Sequence, residues 1–283
     1  VIAATPYAPL PIALELAPLL AAALLYRGRL RALARQGIPV GQAATLPYLA
    51  GLIIAAAGEL ALAHAARTSL LYHELRLLLL CELAAAPLAV GIWRLPKGRA
   101  WKGLRRRLGG PTAPILWLCN LYLWHLPPLL EAGLHHPSTE ALECLTYLAV
   151  GTNLYLALLV GPTRPSPSPE LSRLGQTAVA RGGAIVLANL LLWASHATYP
   201  FYIHPDIRRQ TSPLVDENVA GAVLFFVQLL NLLAICSWTY LRVRSRAAAR
   251  PKEAGPLTAL GGPQPGAGGG HPTVSGAGTV RRG

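Results

Sequence analysis

The feature that most constrains this chain is a series of apolar stretches, each long enough to cross a lipid bilayer. A spanning helix takes about 20 mostly apolar residues. Seven stretches reach that length, at roughly 7–26, 45–66, 70–92, 112–133, 139–160, 178–199 and 219–241. Only 13% of the 283 residues are charged, against about a quarter in soluble domains. The mean hydropathy is +0.42. These observations predict an all-α, polytopic integral membrane protein, a bundle of seven transmembrane helices over residues 1–242. The first stretch has no basic leader or clear cleavage site and reads as a retained helix. Residues 243–283 are rich in Gly, Pro, Ala and Arg, with GPQPGAGGG at 262–270. Such a composition cannot bury a core, so it predicts a disordered basic tail.

The formal net charge is +13. In a soluble protein that excess would suggest nucleic acid. Here it falls between apolar stretches: Arg27, Arg29, Arg31 and Arg35 after the first, seven Lys and Arg between Arg94 and Arg107, Arg164 and Arg173 after the fifth, and Arg242 to Lys252 after the last. That distribution excludes a nucleic-acid partner and points to the lipid membrane. Cytoplasmic loops carry the excess of Lys and Arg. The N-terminus is therefore expected outside and the C-terminus in the cytoplasm of a plasma membrane.

This orientation gathers His64, His73, His125, His135, His136, His196 and His204 at or near the outer side. His135, His136 and His204 are accounted for as ordinary polar loop residues. His73, His125 and His196 fall within the ends of apolar stretches, where polar groups are costly and tend to be functional. Imidazole is a common metal ligand and a proton carrier near neutral pH. His125 follows Trp124 and precedes Pro127-Pro128, so it is expected at a kink. Glu140, Glu143, Cys144 and Tyr147 fall at i, i+3, i+4 and i+7 and share one helical face. Asn189, Trp193 and His196 form a similar stripe. Tyr72-His73-Glu74 opens the third stretch, with Arg76 expected to anchor it at the interface. Cys81 and Glu82 lie deeper in that stretch. The four cysteines are scattered, which indicates neither a disulfide framework nor a zinc site. No GxSxG or HExxH motif is present, so no enzyme is indicated.

WHLPPLLEAGLHHP at 124–137, ALECLTYLAVG at 141–151, YPFY at 199–202 and SPLVDENVAG at 212–221 resemble the seven-helix CtaG-type assembly factors of caa-type cytochrome c oxidase. The likeness covers about residues 65–242. The resemblance implies a bacterial plasma-membrane protein that aids delivery of copper to nascent oxidase subunits at the outer face, without catalysing a reaction. The family's fifth-helix histidine falls on Cys144. Its pair of third-helix histidines is represented by His73 alone, and the Gln of its last loop is Glu217. The expected transient copper ligands are His73, His125 and Cys144, with His196 as the next candidate and Glu143 and Glu74 as supporting carboxylates. Cu(I) accepts sulfur and imidazole alike. The absence of Met removes thioether ligands. The alternatives are a transporter for copper or another small solute, and a metal-free membrane scaffold for oxidase subunits.

Overall fold

The computed structural model describes residues 9–96, 103, 110–161, 169–203 and 211–248. The chain runs through α1 (Pro9–Arg35), α2 (Gln42–Ala66), α3 (Leu70–Trp93), α4 (Thr112–Trp124), α5 (Pro127–His135), α6 (Pro137–Val160), α7 (Pro169–Leu192), the single turn α8 (Pro200–Ile203) and α9 (Pro213–Ala248). Within α3, residues Leu79–Ala84 adopt a π-helical turn. α9 continues to Ala248, so residues 243–248 of the stretch expected as tail are helical. Residues 249–283 lie outside the described residues.

The all-α bundle is as expected, but five helices and not seven have the length and apolarity to cross a membrane among the described residues: α2, α3, α6, α7 and α9. The stretch at 7–26 becomes part of α1, whose last third carries four arginines. The stretch at 112–133 is two helices. Leu126 is extended (φ −67°, ψ 127°), and Pro127 and Pro128 open α5. Proline has no N–H to continue the preceding ladder, and its ring disfavours helical backbone at the residue before it. The predicted kink at His125 is therefore a full break.

The stretch at 178–199 also differs. Its helix starts at Pro169 and ends at Leu192. His196 thus lies beyond the helix and is exposed. Trp193 still donates to Asn189 Oδ1 at 3.3 Å, but the stripe stops there.

α3 is the central element. Sixty-one per cent of its apolar window is buried, against 22% for α9. Small residues let its neighbours approach. A Cβ at Gly151 of α6 would lie 2.5 Å from the carbonyl oxygen of Cys81 and 2.8 Å from its Cα. A Cβ at Gly51 of α2 would lie 2.7 Å from the Ala84 carbonyl oxygen. Small residues at such crossings allow the backbone contact that holds helices together in lipid. α1 joins α2 through a stacked pair, Tyr26 and Tyr48, with ring centroids 3.7 Å apart. Each phenol donates to a carbonyl of the other helix, Tyr26 to Ala44 at 3.0 Å and Tyr48 to Ala22 at 2.9 Å. Both rings are thereby buried with their polar tips satisfied.

The backbone contact at Gly151 predicts that Gly151→Val destabilises the bundle by about 1–3 kcal/mol, the cost of overpacking. Gly28, which has nothing within 4 Å of a built Cβ, is the control. Unfolding in detergent should show a lower midpoint for G151V than for G28V. Equal midpoints would contradict the contact.

Candidate functional site

The N-terminal half of α3 carries His73, Glu74 and Arg76, and its start is held by a helix cap. Ser69 caps α3 and accepts from the Tyr72 amide at 3.5 Å. Asp216, in the first turn of α9, accepts from the Leu70 amide and from the Ser69 hydroxyl, both at 2.6 Å. A carboxylate at a helix N-terminus satisfies orphan amides and complements the dipole. Its neighbours do the same elsewhere. Glu217 accepts from the Thr198 amide at 2.8 Å and hydroxyl at 2.5 Å. Asn218 donates to the carbonyls of Leu191 and Leu192 at 3.0 and 2.9 Å, closing the end of α7. The Asp216-Glu217-Asn218 run thus pins three chain segments.

On this frame, His73 and Glu74 point to different partners. His73 Nε2 lies 3.2 Å from Glu143 Oε1 on α6. His125, which ends α4, has Nε2 2.9 Å from Glu74 Oε1 and Nδ1 2.8 Å from the Leu121 carbonyl oxygen. The two pairs join α3 to α6 and to α4, and all four side chains are buried, none more than 7% exposed. Tyr147 sits against them, with its hydroxyl 3.4 Å from His125 Nδ1.

The partners assign protons. A carbonyl can only accept, so His125 Nδ1 carries a hydrogen. One further proton is then shared between His125 Nε2 and Glu74, on one or the other. His73 differs. Its Nδ1 is buried with no hydrogen-bond partner among the described residues, and so is Glu143 Oε2. With Nε2–H donating to Glu143, the Nδ1 lone pair is uncommitted. Buried polar atoms are rarely left so.

A second buried cluster lies beside the first. Arg76 is fully buried. Its Nε donates to Glu59 Oε2 at 2.8 Å, and its terminal nitrogens reach Glu59 and Glu140. Glu140 also holds Arg67 at 2.7 Å. Arg76 is therefore not the interfacial anchor expected from its position near the start of the third stretch. It bridges α2, α3 and α6.

The remaining predicted residues divide. The face of Glu140, Glu143, Cys144 and Tyr147 is buried as its spacing implied. Cys144 is a free thiol, in an apolar cluster that includes Leu80, Ala84 and Leu148. His196 is exposed, its Nδ1 3.2 Å from the Ser195 hydroxyl, and takes no part. Among the described residues, no three His, Cys, Asp or Glu side chains stand together as a ready metal cage. His204 and His271 lie outside the described residues.

Tyr199 and Tyr202, between α7 and α9, close the group. Tyr199 donates to the His125 carbonyl at 3.2 Å and Tyr202 to the Ala66 carbonyl at 2.8 Å. Burial, then the nearby carboxylates, pushes both phenols well above their ordinary range. They remain donors throughout the physiological range.

The family model described as cytochrome c oxidase caa3 assembly factor matches this chain over residues 24–246. No curated protein and no solved structure matches it.

Removing one member of a buried ion pair leaves an uncompensated charge, at a cost of about 3–5 kcal/mol. Arg76→Met is expected to lower folded yield and unfolding midpoint in detergent by that order. Adding Glu59→Gln to R76M should recover part of the loss. Wild-type stability in R76M alone would contradict the bridging role.

Proposed function

The chain belongs to the caa3 cytochrome c oxidase assembly factor family, and on that premise we propose that it hands copper to a nascent oxidase subunit from the His73–Glu143 and His125–Glu74 pairs. The observation that carries this reading is that His73 Nδ1 and Glu143 Oε2, both buried, each lack a hydrogen-bond partner among the described residues. A nitrogen lone pair and a carboxylate oxygen with no hydrogen to bind are suited to a cation. His125 supplies a second imidazole, whose shared proton can leave when a metal arrives. Glu74 and Glu143 fix the two rings, and such partners typically govern affinity by 10–100-fold. Cys144 is assigned to packing. The proposal includes no catalysed reaction: copper is cargo.

The site lies at the end of the bundle formed by the start of α3, the end of α4 and the start of α6. Arg29, Arg94 and Arg173 bind carbonyls at the other ends of these helices, which supports an outward-facing site in a bacterial plasma membrane, with the N-terminus outside. Delivery outside the cytoplasm follows from that orientation.

One observation favours a second reading, a metal-free scaffold that only holds oxidase subunits: no three-ligand group is present among the described residues. The two separate in cells. In a strain whose own copy is deleted, His73→Gln/His125→Gln is expected to cut oxidase activity and the copper content of the purified oxidase about tenfold, at wild-type abundance of the variant. Surplus copper in the medium should restore much of both. Full activity in the double variant, or a loss that copper does not relieve, would remove the copper reading and leave the scaffold.

A further inference from the structure

The π-helical turn of α3 opens a second feature, remote from the histidines. Beside it lies a cavity of about 600 Å³, bounded by α3, α6 and α9. Its walls include Leu79 and Leu83 from the π turn and Leu230 from α9, with Glu82, Tyr155 and Asn231 as the polar lining. Leu83 is 59% and Leu230 65% exposed, so the cavity opens on the outer surface of the bundle, where lipid lies. π turns recur at functional sites, and cavities of about 300–1,000 Å³ are the usual size for small-molecule binding.

The polar lining selects the occupant. Glu82 is paired with Arg181 and accepts from the Tyr155 hydroxyl at 2.6 Å. Arg181 also donates to Gln228 at 2.8 Å. The carboxylate is therefore compensated and offers no free charge to a ligand. Asn231 is different. It sits near the middle of α9, half-buried on the cavity wall, and its side chain makes no hydrogen bond among the described residues. An amide in hydrocarbon without a partner is costly. A phospholipid does not relieve it, because its polar atoms lie at the interface while its acyl chain passes this depth. A neutral molecule that carries a carbonyl into the membrane interior does.

We propose that this cavity binds a neutral, lipid-soluble molecule that carries a carbonyl on an apolar body, held by the Asn231 amide. The site is independent of the copper reading, and no redox step is assigned to it.

Equilibrium binding of tritiated decyl-benzoquinone to the purified chain in detergent micelles, against protein-free micelles, tests it. Saturable binding of one molecule per chain is expected. Asn231→Leu removes the hydrogen bond at similar volume and should weaken binding about tenfold. Ala234→Phe fills the cavity from the same helix and should abolish binding. Both variants should keep the wild-type unfolding midpoint, since Ala234 is exposed and Asn231 half-buried. Partition no greater than in empty micelles would overturn the proposal. So would saturable binding that neither variant changes. Displacement of the probe by phosphatidylglycerol with no effect of N231L would make the cavity an acyl-chain groove and overturn it as well.

Discussion

The structure depends on Arg76. A guanidinium with no exposure inside a membrane bundle demands compensation, and Glu59 and Glu140 supply it from two other helices. Arg67 completes the balance by holding the second oxygen of Glu140. This group contains two acids and two bases, so it is neutral overall. Its geometry is demanding, because Arg offers donors in a fixed planar fork. Sliding or rotating α3 against α2 or α6 would strip the charges of partners. The arrangement therefore fixes the depth and rotation of α3, and with them the positions of His73 and Glu74 on the same turn.

From that fixed register the rest follows. His73 faces α6 and meets Glu143, one turn after Glu140 on the same buried face. Glu74 faces the end of α4 and meets His125, which the Leu126–Pro127 break leaves at a helix terminus with its ring turned inward. Asp216 holds the start of α3 from α9, and Tyr199 holds the His125 backbone. The two imidazole–carboxylate pairs sit in a rigid frame, which the proposed reversible binding of copper requires. Further along α3, Gly151 admits the backbone on one side while the π turn sets Glu82 toward Arg181 and leaves the lateral cavity on another.

Much of this was legible in the sequence, and the rest was hidden for definite reasons. Apolar length announced the helices, and the spacing of Glu140, Glu143, Cys144 and Tyr147 announced a buried face. Pro127-Pro128 announced a disturbance at His125, though hydropathy averaged across it and suggested one span. The end of α7 at Leu192 was invisible for a related reason: the following residues are apolar enough to continue the pattern, yet Asn218, far along the chain, caps the carbonyls there. Arg76 read as interfacial because its partners lie on other helices, and pairing across helices leaves no local periodicity. The same holds for Asp216 and Glu217. The Ser-Pro-Leu-x-Asp resemblance marked that loop, and its physical role as a set of helix caps emerged only in three dimensions. Cys144 was expected as a ligand by its place in the motif; it lies on the buried face of α6, with Leu80, Ala84 and Leu148 among its cluster.

The central claim is that the paired imidazoles, and not the Cys144 thiol, are the copper-handling groups. The most direct measurement is Cu(I) affinity of the purified chain by competition with a chromophoric chelator under reducing conditions. Three forms are compared: wild type, Cys144→Ala, and His73→Gln/His125→Gln. The account predicts that C144A retains the wild-type affinity and that the double histidine variant loses it, with all three equally folded. Retained affinity without the histidines, or its loss in C144A, would contradict the account.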